Sequence, residues 1–237
     1  MQVSFSCDRG DIRTTNEDRV MVKKYAIFNE EWGLFLVADG MSGRGGEASQ
    51  TIVDVLTGWC DNDLATLLSL PFDMDLVVSS LDSAIAVANS NIRALQTGEP
   101  IVSTLSLVLV MGKKYIIRHV GNSRIYLVDG QIRRLTTDHI ADAGLTSKRP
   151  VLTMCMGANN AISLFEAEGE RKPGDMFVIC SDGLYDLVAD DIILATVTNP
   201  STPMIEKAQA LRACIPQGKA HDNVSIILAG DVQDEQA

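Results

Sequence analysis

The sequence lacks a long hydrophobic run, and this absence bears on where the protein works. The longest apolar stretches have the length of strands and fall short of the ~20 residues that a membrane helix needs. The first residues also lack the basic segment followed by an apolar one that marks a signal peptide. We therefore expect a cytoplasmic protein that is not bound to a membrane.

Basic residues are in the minority. The chain has 20 Lys and Arg against 31 Asp and Glu, for a formal net charge of −11 at pH 7. A protein that binds duplex nucleic acid needs clustered Lys and Arg to displace the counterions of the phosphates. We therefore expect no nucleic-acid partner, and we expect most of the excess acid to lie on the solvated surface.

Cysteines are few and do not suggest a disulfide framework. There are five, an odd number scattered at positions 7, 60, 155, 180 and 214, which is typical of reduced thiols. No Cys-x5-Arg phosphate loop starts at Cys180, so a cysteine nucleophile has no support in the sequence.

The length and composition indicate one globular domain over residues 1–237. Apolar runs predict strands near 2–8, 19–28, 33–38, 103–112, 114–120, 124–129, 131–135, 162–167, 176–181 and 223–229. Helical spacing predicts helices near 46–60, 74–96, 190–198 and 203–214. Clustered helices followed by a long series of strands favour an α+β fold, with sheets packed on each other and helices outside.

Three acids lie at the ends of buried-strand patterns. Two apolar runs stop at Asp39-Gly40 and Asp182-Gly183, and Asp222 precedes the run over 224–229. Crowded carboxylates repel each other unless protons or cations neutralise them, and Mg²⁺ or Mn²⁺ prefers oxygen ligands. The alternative is that each Asp-Gly only forms a turn, and for either one taken singly that interpretation is favoured.

Other motifs accompany these acids. A glycine-rich segment follows the first Asp-Gly, and further polar groups flank predicted strands: Arg13-Thr14-Thr15-Asn16-Glu17-Asp18, Ser103-Thr104, Gly121-Asn122-Ser123-Arg124 and His221-Asp222-Asn223. In this order and at these intervals the set resembles the metal-dependent serine/threonine protein phosphatases of the PPM, or protein phosphatase 2C, family. The resemblance extends from about Cys7 to Gly230.

The resemblance implies a four-layer αββα sandwich and hydrolysis of phosphoserine and phosphothreonine in proteins. It implies two Mn²⁺ or Mg²⁺ ions, with Asp39 bridging them as the catalytic carboxylate and the carbonyl of Gly40 on one ion. Asp182 and Asp222 would hold the other ion. Glu17 and Asp18 would act through bound water.

Arg13 is implied as the clamp for the phosphate, since a guanidinium can hold two oxygens at once. The alternative is a surface arginine paired with Asp11 or Glu17. Arg44 in the glycine-rich segment is better interpreted as a solvated loop charge than as a substrate contact. Asn223 is expected to fix the turn after Asp222 rather than to bind metal.

The three histidines receive different predictions. His119 and His139 are predicted to be structural. His221 adjoins an expected ligand and is a candidate proton donor to the leaving group.

Two features depart from the family pattern. The position usually held by the Asp of a Gly-Asp-Ser-Arg block is Asn122, which would make a weak third ion site. The flap beside the active site, around residues 138–152, is short, so we expect an open site.

The resemblance also implies a phosphoprotein substrate, a cognate serine/threonine kinase and a monomer. Two alternatives remain open. One is a phosphatase dedicated to a single regulatory phosphoprotein of the anti-sigma antagonist type, and the other is a pseudophosphatase that binds phosphoproteins without hydrolysing them.

Overall fold

The fold is taken from a computed structural model that describes residues 1–27, 29–141 and 151–231. Strands in these residues are β1 Gln2–Asp8, β2 Arg19–Ile27, β3 Glu30–Ala38, β4 Gly40–Met41, β5 Val102–Ser103, β6 Leu105–Met111, β7 Lys114–Val120, β8 Arg124–Val128, β9 Ile132–Arg134, β10 Ile140–Ala141, β11 Val151–Leu152, β12 Phe165–Glu170, β13 Met176–Cys180 and β14 Val224–Gly230. The middle of the short flap predicted around 138–152 lies outside the described residues.

The helices are α1 Gly45–Gly58, α2 Ala65–Leu68, α3 Met74–Ala94, α4 Asp182–Tyr185, α5 Asp190–Thr198 and α6 Met204–Ala213. A π-helical segment, Trp59–Leu64, joins α1 to α2. None of the helices in the described part of the chain combines the length and apolar character needed to cross a bilayer.

Two five-stranded antiparallel sheets form the centre of the molecule. The strand order is β1-β14-β13-β8-β9 in the first sheet and β12-β7-β6-β3-β2 in the second. The sheets pack face to face over an apolar core. In this core the rings of Tyr115 and Phe177 meet edge to face, with their centroids 5.0 Å apart.

Helices cover the outer face of each sheet. Helices α1 and α3 pack on the second sheet, while α5 and α6 pack on the first. Strand β3 is apolar on both faces because it lies between two layers. Leu34 and Leu36 face the helices, whereas Phe35 and Val37 face the other sheet. The predicted α+β fold, a four-layer αββα sandwich of two antiparallel sheets, is therefore confirmed.

The longest predicted helix, 74–96, is α3 in the structure. The side chain of Asp73 caps it by accepting hydrogen bonds from the backbone N–H groups of Asp75 and Leu76. Five short features were not predicted: the β4–β5 pair, the π-helical segment, α2, the β10–β11 pair and α4. Elements of this kind are too short or too irregular to produce a hydrophobic period in the sequence.

Candidate active site

Four of the acids singled out in the sequence line one cavity of about 540 Å³, whereas Asp18 is not on its wall. Its wall contains six carboxylates and two guanidiniums, namely Glu17, Asp39, Asp138, Asp182, Asp186, Asp222, Arg13 and Arg124. If all are ionised, the wall has a formal charge of −4. A phosphate dianion would be repelled by such a wall unless cations were bound there as well.

Asp39 follows β3 and is held by the Ser103-Thr104 pair. Its backbone N–H donates to the Thr104 hydroxyl at 3.0 Å, and its carbonyl accepts from the Ser103 hydroxyl at 3.0 Å. Burial raises the pKa of Asp39 well above its usual range, and the charges of Asp18 and Asp182 raise it further. The fold thus fixes this carboxyl rigidly among others of the same charge.

Gly40 is required by close backbone packing. A Cβ atom at Gly40 would lie 2.3 Å from the backbone carbon of Gly45 at the start of α1. The reciprocal contact, from a Cβ at Gly45 to the backbone carbon of Gly40, would be 2.1 Å. The two glycines therefore hold the glycine-rich loop against the strand end, with Gly40 on the cavity wall.

Gly183 has a similar role beside Asp182. A Cβ atom there would lie 2.0 Å from the carbonyl oxygen of Asn223, so the first residues of α4 lie directly against the segment that contains Asp222. Both Asp-Gly pairs thus allow close backbone contact at the cavity. The turn interpretation alone does not account for this convergence.

Asp18 and Glu17 have different environments, although the same role through bound water was predicted for both. Asp18 is 1% exposed, and Oδ2 has no hydrogen-bond partner among the described residues. Burial raises its pKa to about 7, with Asp182 and Asp222 adding to the effect. Glu17 instead lies on the cavity wall, where it accepts a 3.4 Å hydrogen bond from the N–H of Gly46. Of these two neighbours, Asp18 is therefore the one that needs a neutralising proton or cation.

Asn223 does not act as predicted. Its Oδ1 accepts from the N–H of Glu17 at 2.9 Å, and its Nδ2 donates to the carbonyls of Arg9 and Thr15 at 2.8 and 3.0 Å. The side chain therefore fastens the segment around Arg13 to the start of β14, rather than fixing the turn after Asp222.

Arg13 lies on the cavity wall and donates to Oδ2 of Asp222 at 2.7 Å. Asp11, which the sequence offered as an alternative partner of Arg13, instead contacts Arg212 at 3.3 Å. Arg13 is 46% exposed in its side chain, so its guanidinium is accessible from the cavity. Arg44 pairs with Glu47 at 2.6 Å and does not line the cavity, in agreement with a solvated loop charge.

His119 and His139 have the hydrogen-bonded, non-cavity positions expected of structural residues, whereas the predicted role of His221 stays a prediction. His119 is fully buried, with its ring nitrogens 2.9 Å from the Ser106 hydroxyl and 3.1 Å from the Thr137 carbonyl. His139 accepts from the N–H of Gly121 at 3.2 Å and stacks on His119. Both rings are structural. His221 lies on the cavity wall.

Arg124 and Tyr185 are two of the wall residues for which no role was predicted from the sequence. The guanidinium of Arg124 lies 3.6 Å from the ring centre of Tyr185, and Arg124 also pairs with Asp138 at 2.8 Å. The hydroxyl of Tyr185 donates to the carbonyl of Asn122 at 2.8 Å. Helical spacing from Asp182 would have placed Tyr185, at i+3, on the same side of the molecule, but only the pair Asp182-Gly183 was considered in the sequence.

The chemistry of the donor set fits divalent cations. The cavity wall has an excess of carboxylates, and Asp18, whose charge acts on Asp39, has a buried oxygen without a hydrogen-bond partner among the described residues. In residues 1–27, 29–141 and 151–231, no three His, Cys, Asp or Glu side chains are arranged to hold an ion by themselves. An ion here would thus take one or two carboxylates, a backbone carbonyl and several waters, as Mg²⁺ usually does.

The chain matches the family described as protein phosphatase 2C over residues 13–215. It is 31% identical over 249 residues to the serine/threonine protein phosphatase PstP of Mycobacterium tuberculosis, covering 96% of this chain and 44% of that protein. The chain therefore spans less than half the length of that relative. Protein phosphatase PhpP of Streptococcus pneumoniae is 24% identical over 248 residues, covering 96% of both chains.

Solved structures agree with these relatives. The crystal structure of the catalytic domain of PstP in complex with two manganese ions matches with a TM-score of 0.76 and 28% identity. The match covers 96% of each chain. The layers described above are thus the layers of a fold in which two manganese ions have been observed.

Proposed function

Because this chain belongs to the protein phosphatase 2C family, we propose that it hydrolyses phosphoserine and phosphothreonine in proteins, using two Mn²⁺ or Mg²⁺ ions. The observation that carries the proposal is the cavity wall with six carboxylates and two guanidiniums. Such a wall can accept a phosphate dianion only after cations have reversed its charge.

Four residues are proposed to hold the ions directly. Asp39 follows the end of β3, and the carbonyl of Gly40 is at the start of β4. Asp182 lies just after β13 and Asp222 just before β14, two neighbouring strands of the first sheet. Asp18 and Glu17 would hold waters of the ions. When bound, the ions would lower the pKa of a water and neutralise the phosphate.

The side chains of the wall divide the remaining work. Arg13 is proposed to exchange its contact with Asp222 for the phosphate oxygens, since its fork can hold two of them. His221, on the same wall, is proposed to give a proton to the leaving oxygen. The Ser103 and Thr104 hydroxyls keep Asp39 in place through its backbone.

We propose that the substrate is a phosphoprotein and that the enzyme opposes a serine/threonine kinase in the cytoplasm. The named activity of the mycobacterial and streptococcal relatives supports this setting. A pseudophosphatase is less well supported, because Asp39, Asp182 and Asp222 all reach the cavity.

Hydrolysis of p-nitrophenyl phosphate with Mn²⁺, Mg²⁺ or EDTA tests the proposal. We expect turnover with either ion and none in EDTA. Asp39→Asn should lower kcat by a factor of at least about 10³, since metal stabilisation of the transition state is worth several kcal/mol. The exposed Asp63→Asn serves as the matched control and should keep its activity. Near wild-type turnover by Asp39→Asn at saturating Mn²⁺ would show that the two-metal assignment is wrong.

A further inference from the structure

Apolar side chains form one part of the same cavity wall. Ile140 and Leu152 are direct cross-strand partners in the β10–β11 pair, so their side chains lie on the same face of that ribbon. Leu187, just after α4, also lines the cavity. We call these three residues the apolar shelf.

Two residues of the shelf are exposed to solvent. Ile140 is 40% exposed and Leu187 is 38% exposed. Single exposed apolar residues are ordinary on protein surfaces and need no explanation. Here, however, they line a cavity whose other walls are charged, and ligand cavities typically combine apolar walls with a few polar groups.

The volume of the cavity leaves room for more than a phosphate group. At about 540 Å³ it lies within the range of pockets that hold a drug-sized ligand. Arg13 and the acidic strand ends occupy the polar part of the wall. A peptide that presents its phosphate to that part must therefore place a neighbouring residue near the shelf.

We propose that the apolar shelf binds a large apolar side chain of the substrate, next to the phosphorylated residue. This inference rests on the proposed phosphatase function and adds a sequence preference to it. A basic neighbour is the competing occupant, because Asp186 adjoins Leu187. Asp138, which lies near Ile140, is already paired with Arg124 and Arg134. Three apolar side chains then face one adjoining carboxylate, Asp186, so we expect the burial of apolar surface to favour an apolar neighbour of the phosphorylated residue.

The test uses phosphothreonine peptides in which one neighbouring position is Leu, Lys or Ser. The varied position is the first or the second residue before or after the phosphothreonine. We expect kcat/KM for the Leu peptide to exceed that for the Ser peptide by about tenfold at one or more positions, the scale of discrimination by a hydrophobic pocket. Leu187→Ser and Ile140→Ser should each reduce this ratio. The ratio cancels any loss of activity that is common to both peptides.

Ile192→Ser is the matched control, because Ile192 is 46% exposed but lies on α5 and does not line the cavity. For this variant, the ratio of kcat/KM for the Leu peptide to kcat/KM for the Ser peptide should equal that of the wild type. Equal turnover of Leu and Ser peptides at every position would overturn the shelf, as would a preference for Lys.

A binding measurement separates failure of the shelf from failure of the proposed function. Fluorescence anisotropy of the same labelled peptides with Asp39→Asn reports the preference without hydrolysis. Tighter binding of the Leu peptide supports the shelf even if the wild type turns over no substrate. Indistinguishable affinities in this assay, together with wild-type turnover of p-nitrophenyl phosphate, reject the shelf and leave the phosphatase function standing.

Discussion

The side-chain amide of Asn122 donates a hydrogen bond to Oδ2 of Asp182 at 3.0 Å. This geometry turns the nitrogen of the amide, and not its oxygen, toward the expected ligand. The predicted weak third ion at Asn122 would need the amide to rotate and give up this bond. Tyr185 holds the main-chain carbonyl of Asn122 at 2.8 Å, so the residue is fixed from both sides.

Asn122→Asp should increase the dependence of the protein on divalent cations. A carboxylate beside Asp182 adds like charge that only a cation or proton relieves. We expect the Mn²⁺ concentration for half-maximal activity to fall by about tenfold, equivalent to ~1.4 kcal/mol of added affinity. The melting temperature in EDTA should also fall. Asn122→Ser is the control without added charge, and an unchanged Mn²⁺ titration for Asn122→Asp would remove this residue from the metal site.

Arg13→Ala should separate phosphate binding from metal binding. The variant loses the fork for phosphate oxygens, so kcat/KM should fall by about tenfold to a hundredfold, the scale of lost charge-assisted hydrogen bonds. Mn²⁺ affinity, measured by calorimetry, should stay the same or increase, because Asp222 loses its competing ion pair. Arg13→Lys keeps the charge but not the fork and should recover only part of the activity. Weaker Mn²⁺ binding by Arg13→Ala would instead assign Arg13 a structural role.

Asp39→Asn should stabilise the metal-free protein while it abolishes turnover. Burial raises the pKa of its carboxyl, and the charges of Asp18 and Asp182 raise it further, so a neutral amide of the same shape relieves both the burial of charge and the repulsion. A gain of about 1 kcal/mol would raise the melting temperature in EDTA by about 2–4 °C. Mn²⁺ should raise the melting temperature of the variant less than that of the wild type. A lower melting temperature in EDTA would contradict the repulsive cluster.

His119 should make stability depend on pH. Burial lowers its pKa to about 4, against ~6.5 in the unfolded chain, with a smaller effect from His139. The unfolded state thus takes up a proton first as the pH falls below 6.5, and the stabilisation is lost between about pH 6.5 and pH 4. From pH 7 to pH 5 we expect a loss of about 2 kcal/mol from this group.

Urea unfolding in EDTA at several pH values measures this loss. His119→Gln lacks the titrating group, so its free energy of unfolding should fall less between pH 7 and pH 5 than that of the wild type. Equal slopes for wild type and His119→Gln would show that His119 does not remain neutral in the fold.

The sequence was most informative where residue pattern and local structure coincide. Buried strands such as β3 show continuous apolar runs, and Asp39 is recognised because it ends one of them. The long helix α3 has both a period and an N-terminal Asp73 cap. These signals depend on neighbouring residues, so they can be detected without knowledge of the fold.

Contacts between segments that are distant in the chain could not be predicted from the sequence. The pairing of Arg13 with Asp222 joins residues that are 209 positions apart, and the three hydrogen bonds of Asn223 join similarly distant segments. Asp18 and Glu17 are adjacent in the chain, yet only the packing of the sheets decides which of them is buried. The role of Tyr185 also depends on its distance from Asn122 and Arg124 in space.

The register of β1 with β14 has a consequence for the synthesis of the protein. Residues 2–8 pair with residues 224–230, and Asn223 fastens the Arg13 segment to the same seam. At about 5–20 residues per second, a ribosome needs roughly 10–40 s to add the 209 positions between Arg13 and Asp222. During that time the nascent chain has no complete phosphate-binding wall. The proposed phosphatase activity would therefore arise only after Asp222 has been added, and a chain interrupted before that residue lacks one of the proposed metal ligands.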